Sequence, residues 1–465
     1  MVIRTGRADL AFDGIRTEFG LPSSFPTAVL AEAEAAASRS FGDRPDLTSI
    51  PLVTIDPPGA KDLDQALCLE RTATGFVVHY AIADLGAFVT PGGALDTEVR
   101  HRGQTIYLPD GNVPLHPTAL SEGAASLLPG VVRPAVLWTF TCSAGGVPTG
   151  VEVRRALVRS QAQFDYASVQ ETFDTGDPHP SIAALAEFGP LRRALARERG
   201  AIELQLPEQE IESNGDGWKL VTRPRALVDA WNAEISLMTG MAAAAIMLEA
   251  RAGVLRTLPD PDADAVKALR RSAAALKVPW PADLSPGAFL AGLDAAKPES
   301  LALFTDATSL LRGAGYSAFN GSVPDVTTHA GVAAPYAHVT APLRRLVDRF
   351  GSEVCLAVTA GQDLPEWLAE ALPQLPALME ASDSLAAKVE RAALDQVEAW
   401  VLAGRVGQEF EAVVLRSGDR EADVFVSAPP VIAKCEGARL PEGERIRVRL
   451  EEADPQRRLV RFQAV

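Results

Sequence analysis

The apolar pattern of this chain changes period twice, which limits the fold to strands, then helices, then strands again. From about residue 50 to 166, runs such as 76–83 and 135–141 are separated by Gly/Pro turns, the signature of a sheet. Helical spacing then dominates, most clearly over 182–198, 225–250, 263–277, 343–359 and 375–403, with Gly361 and Gly404 punctuating the last two. From residue 406 short strands return at 411–415, 423–426, 445–450 and 458–462. A segment of that size suits a small OB-type barrel, which binds single strands on a basic face. Near the start, Ser24 and Pro26 open an Ala/Glu-rich stretch that predicts a short helix over 24–38.

At 465 residues and 47% hydrophobic content, the chain can bury a large core and divide into two or three domains. Its net charge of −16 argues against coating nucleic acid by global attraction. Any polyanion must meet a local basic surface, and residues 406–465, with ten Lys/Arg against eleven Asp/Glu, are relatively basic. Cys68, Cys142, Cys355 and Cys435 lie far apart with no CxxC, which disfavours a disulfide framework or a structural zinc and leaves buried thiols. No run of eighteen uncharged apolar residues occurs and the first residues lack the apolar core of a signal peptide, so a cytoplasmic monomer without membrane or disulfide partners is expected.

Two constellations carry chemistry. In the first, Asp56, Asp62 and Asp64 lie within nine positions around Pro57-Pro58-Gly59. Leu52, Val53 and Ile55 read as the end of a buried strand, so Asp56 falls where strand becomes loop. Asp62 and Asp64, two apart in an extended stretch, project to one side while Leu63 points to the other. Converging carboxylates repel unless a proton or a divalent cation is shared, and oxygen-only ligation suits Mg²⁺, with Mn²⁺ as a substitute. A solvated acidic loop explains the same residues without a metal. The second is Tyr336-Ala-His-Val-Thr-Ala-Pro-Leu-Arg-Arg-Leu-Val-Asp over 336–348. Thr340 is placed to cap a helix with Pro342 in its first turn, so free amides and the forks of Arg344 and Arg345 form a phosphate clamp. Pairing of both arginines with Asp348 or Glu353 is the competing reading.

Together these segments, Ile-Asp-Pro-x-x-Ala-x-Asp-x-Asp and Tyr-x-His-x-Thr-x-Pro-x-Arg-Arg-x-x-Asp, resemble the hallmark motifs of the ribonuclease II family, the RNB-domain exoribonucleases. Ala83-Asp84, Arg102-Gly103, Tyr107-Leu-Pro-Asp110, Arg199-Gly-Ala-Ile202 and Glu390-Arg391 fall in the family's order. The resemblance implies an α+β fold: a short helical extension over 1–45, an RNB catalytic domain with a β-sheet or barrel core surrounded by helices over 46–404, and an all-β S1-like OB barrel over 405–465. It also implies processive 3′→5′ hydrolysis of single-stranded RNA to nucleoside 5′-monophosphates. By position, Asp56, Asp62 and Asp64 would hold Mg²⁺, with Asp64 the most critical. Arg344 would contact the phosphate, Tyr107 would stack on the terminal nucleotide, Glu390 would anchor the last bases, and Arg345, His338 and Thr340 would line the RNA site. No Ser-His-Asp, Cys-His, P-loop or dinucleotide pattern competes.

Three departures stand out. Gln65 occupies the position of the family's fourth acid, where its amide oxygen could still serve the metal, so weaker metal binding is expected and Gln65→Asp should restore activity at low Mg²⁺. Leu204 stands where an aromatic residue usually stacks on RNA, which costs about 1–3 kcal/mol per base. Cold-shock domains are not expected ahead of Asp56, so RNA entry would rely on the C-terminal barrel. An RNA-binding protein that has lost catalysis is the alternative that Gln65 keeps open.

Overall fold

The computed structural model describes residues 11–204, 208–213, 218–223 and 226–465. Helices α1 (Asp13–Glu18) and α2 (Thr27–Ala37) precede strands β1 (Leu52–Ile55), β2 (Gln65–Arg71) and β3 (Gly75–Ala83). Helix α3 (Ala94–Arg102) and a small hairpin, β4 (Ile106–Leu108) with β5 (Gly111–Val113), come before the long strands β6 (Val132–Ser143) and β7 (Pro148–Phe164). The helical middle holds α4 (Tyr166–Thr175), α5 (Leu185–Arg199), the hairpin β8 (Glu208–Ser213) with β9 (Trp218–Arg223), and α6 (Leu227–Ala250). It continues through β10 (Ala252–Thr257), α7 (Ala263–Ala275), α8 (Pro286–Ala291), α9 (Pro298–Ala307), β11 (Gly315–Asn320), β12 (Thr328–His329) and β13 (Ala334–Pro335). Helices α10 (Leu346–Thr359), α11 (Glu366–Ala371) and α12 (Leu375–Leu402) lead into β14 (Glu409–Ser417), β15 (Glu421–Ser427), β16 (Pro430–Glu436), β17 (Arg445–Asp454) and β18 (Leu459–Ala464).

Two closed barrels frame the helices. The first runs β1-β2-β3-β6-β7 and closes by parallel pairing of β1 with β7, Ile55 opposite Phe164. Its interior and the helices around it share one core, with Phe76, Tyr80, Trp138 and Phe140 fully buried. Helix α6 is long and apolar enough to span a membrane by length and composition, yet Ile235, Met238, Ala243, Ala244 and Met247 are sunk in this core. All four cysteines are buried.

The second barrel runs β14-β15-β16-β18-β17, an OB-like order closed by the parallel pair β16 and β18. Inward alternation places Val414, Val424, Val426, Val431, Val448, Leu450 and Phe462 in its centre. On the other side of β14 and β15, Val413, Leu415 and Phe425 pack against Leu301 of α9. That part of the barrel surface is therefore apolar and covered by the helical layer. Exposed arginines instead line β17, where Arg447 and Arg449 both pair with Glu409.

Candidate active site

Barrel closure positions the first acid. The Asp56 amide continues the β1–β7 seam by donating to Phe164 O at 3.0 Å, after which Pro57-Pro58-Gly59 turns the chain, with Gly59 at φ +80. The returning segment is stapled by residues 126–127. Ser126 Oγ donates to Lys61 O and accepts from the Leu63 amide, while the Leu127 amide donates to Leu63 O. Leu63 is thereby seated in the core, with Asp62 partly exposed and Asp64 buried at 4% exposure.

Asp64 meets the second motif directly. Its Oδ1 accepts from the Leu343 amide at 2.8 Å across 279 residues, and its Oδ2 lies 3.7 Å from Arg344 Nε. The segment carrying Arg344 is a turn, because α10 begins at Leu346, several residues later than the Thr340 cap predicts. Long-range pairing displaces the helix start. The Thr105 amide donates to Arg344 O and the Leu346 amide to Gly103 O, so backbone groups that would begin a helix are bound to the segment before Tyr107. Gly103 has φ +72 and a Cβ there would meet Ser382 Cβ at 2.5 Å, so any other residue would strain this pairing.

The two arginines part company. Arg344 is exposed and free to reach a phosphate, whereas Arg345 makes a bidentate pair with Asp348 at 2.8 and 2.9 Å. Asp348 is fully buried and also accepts from the Ala341 amide, reaching back from the first turn of α10. Thr340 is buried and its carbonyl accepts from Gln65 Nε2 at 2.6 Å. The amide at position 65 therefore uses its donor to tie the acidic loop to the arginine turn. His338 hydrogen-bonds through Nδ1 to Tyr316 Oη at 2.8 Å, and burial holds its pKa well below the ordinary value, so it is neutral.

Tyr107, on β4, is half exposed, and burial of its hydroxyl together with the charge of nearby Asp62 raises its pKa above the ordinary phenol range. Glu390 is an exposed residue of α12, and Leu204 packs against the helical cluster around Ile202, Phe289 and Phe304. One supporting residue has no counterpart in the motif reading. His116, 2% exposed, bonds Leu343 O through Nδ1 at 3.1 Å, and burial lowers its pKa to about 4. A neutral ring donating from Nδ1 thus holds the carbonyl of the same residue whose amide binds Asp64. A lone histidine between Leu115 and Pro117 is the only sequence signal for it.

Burial, reinforced by the Asp62 charge and opposed by Arg344, raises Asp56 to about 6, and burial lifts Asp64 well above the usual carboxylate range. Asp56 Oδ2 is buried with no hydrogen-bond partner among the described residues. Among those residues no three His, Cys, Asp or Glu side chains converge as a ready metal cluster. The donor set nevertheless fits a hard divalent cation: only oxygens, one of them orphaned, on carboxylates that burial leaves short of compensating charge.

Comparison with known proteins identifies the family and the fold. The RNB domain family matches residues 44–351, and the RNase II-type exonuclease C-terminal S1 domain matches residues 408–465. Ribonuclease R of Escherichia coli is 29% identical over 362 residues, 74% of this chain and 44% of that protein. The chain spans less than half the length of the curated relatives it matches. The apo structure of Mycoplasma genitalium RNase R superposes with a TM-score of 0.86 at 19% identity, covering 98% of this chain and 77% of that one; the same protein has been solved with ribose-methylated single-stranded RNA. Yeast Ssd1, described as a pseudonuclease, superposes with a TM-score of 0.68 at 16% identity, covering 89% of this chain and 54% of that one. With two thirds of its length matched to the RNB domain and an S1 barrel behind it, the chain belongs to the RNB-domain ribonuclease family.

Proposed function

We propose that this chain is a divalent-metal-dependent exoribonuclease that degrades single-stranded RNA processively from its 3′ end to nucleoside 5′-monophosphates. The observation that carries this reading is the contact of Asp64 with both the Leu343 amide and Arg344, which joins the acidic loop to the arginine turn. Asp56, Asp62 and Asp64 would hold Mg²⁺ or Mn²⁺, which when bound supplies Lewis acidity at the scissile phosphate. Arg344 neutralises charge that grows on the phosphoryl oxygens, and Tyr107 offers a ring for the terminal base. A 5′-labelled oligoribonucleotide should pass with few intermediates to a short labelled end product with Mg²⁺ and stay intact with EDTA; retention of RNA without cleavage in either Mg²⁺ or Mn²⁺ would overturn the reading.

The raised carboxylates set the pH response. A cation must displace protons held by Asp56, near pH 6, and by Asp64 above its ordinary range. Mg²⁺ affinity is therefore expected to climb as pH rises through about 6, with proton release visible by calorimetry in buffers of different ionisation enthalpy. Equal affinity on both sides of that pH would remove these carboxylates from the metal site.

Gln65 favours a second reading, an RNA-binding protein without catalysis, since it withholds one charge from the site. Its bond to Thr340 shows a separate use. Gln65→Glu keeps the length but cannot donate to the Thr340 carbonyl, so urea melts should show a loss of about 1–3 kcal/mol, the cost of an unmet buried acceptor. Stability unchanged from the parent would mean that the tie carries no weight.

A further inference from the structure

The hairpin that carries Tyr107 cannot hold itself in place. Strands β4 and β5 have three residues each, joined by Pro109 and Asp110, far below the size at which a two-stranded hairpin is stable alone. Its shape depends on what it packs against. Ile106, Leu108 and Val113 are buried, and strand alternation then turns Tyr107 to the opposite face, toward Asp62. The cluster that receives these apolar residues contains Phe12 and Ile15, both at 0% exposure and both belonging to the short helix α1 or its cap.

Helix α1 also grips the tip of the hairpin. Arg16 makes a two-pronged pair with Asp110, Nη1 to Oδ2 at 2.9 Å and Nη2 to Oδ1 at 2.7 Å, across 94 residues. The fork geometry fixes direction as well as distance. The helix is itself anchored on two further elements. Gln396 of α12 donates to Ala11 O, and Arg458, in the turn between β17 and β18, pairs with Glu18. Phe12 stands edge-on to Trp218 of β9, with ring centroids 5.4 Å apart.

We infer that α1 is a brace for the Tyr107 hairpin and that Arg16, acting through Asp110, is a positioning residue that sets where the Tyr107 ring stands over the 3′-terminal nucleotide. The Asp110 that ends the Tyr-Leu-Pro-Asp motif thereby has a role away from the reacting atoms. The nucleotide part of this inference rests on the exoribonuclease reading above; the brace itself does not. Because Arg16 touches neither the acidic loop nor Arg344, its loss should loosen the grip on the RNA end and leave the chemical step alone.

The test uses the full chain and the variants Arg16→Ala, Asp110→Ala, their double and the exchanged pair Arg16→Asp/Asp110→Arg. Each single variant should raise KM for a 5′-labelled oligouridylate by about 3–10-fold with kcat within about twofold, and should lengthen the shortest product. The double should be no worse than either single, and the exchange should recover most of the loss. Amide hydrogen exchange over 106–113 supplies the second readout, and it should quicken in both singles whether or not RNA is cut. Unchanged exchange overturns the brace. Faster exchange with KM and product length untouched overturns the positioning role. A parent chain that leaves RNA intact while exchange responds as expected would fault the exoribonuclease reading and retain the brace.

Discussion

Asp64→Asn is expected to lower RNA turnover on the order of 10³-fold while leaving the fold intact. The amide oxygen still accepts from the Leu343 amide, so the junction between the two motifs survives. What disappears is the negative charge, and with it both the contribution to a cation and the counter-charge to Arg344. Stability should move the other way. Burial raises the Asp64 pKa well above that of an exposed carboxylate, so the native state holds a proton that the unfolded chain releases. Stability from this group is complete below the unfolded pKa and is lost as pH rises through the higher folded one. Asparagine removes that loss, so at pH 8 without metal the variant should melt no lower than the parent. Retention of turnover within about tenfold of the parent would show that the chemistry does not pass through Asp64.

The neighbouring arginines should separate just as sharply. Arg344→Ala is expected to cost about 10²–10³ in kcat with little change in melting, because the side chain is half exposed and the Asp64 carboxylate beside it lies 3.7 Å away. Arg345→Ala should cost about 3–5 kcal/mol of stability, because it strands the buried Asp348 carboxylate that it now holds with two bonds. Steady-state rates together with urea melts on both variants decide the matter. If Arg345→Ala folds like the parent and loses only activity, the adjacent arginines form one phosphate clamp after all.

The longer helices and several of the barrel strands were legible because each carries its own period, whereas the shortest helices and the strands of the helical middle, such as β10 and β11, were not. Helix 375–402 and strand 75–83 stand within a residue or two of the sequence expectation. Strand β16 escaped notice because Pro429-Pro430 reads as a loop, although Pro430 occupies the first strand position, where no ladder amide is required. The site was legible as two motifs, yet the way they meet was not. Nothing local announces that β1 closes on β7, or that Gly103 and Thr105 pair with the arginine turn. For the same reason Thr340 looked like a helix cap, when the carboxylate that binds the Ala341 amide comes from Asp348 seven residues on. Gln65 looked like a diminished metal ligand because sequence alone does not reveal that a carbonyl 275 residues away awaits its donor.

The cluster in which α1 meets α12 also contains the centre of the C-terminal barrel and reaches the β8–β9 hairpin through Leu220. Within it the buried Glu398 of α12 accepts from Gln209 of that hairpin and from the Ile432 amide of the barrel. The change of period near residue 404 is therefore a border in the sequence and not a seam in the molecule. A chain cut there would shed its barrel and bare an apolar flank of α12, so the barrel is less a detachable module than a wall without which the rest of the building does not stand dry.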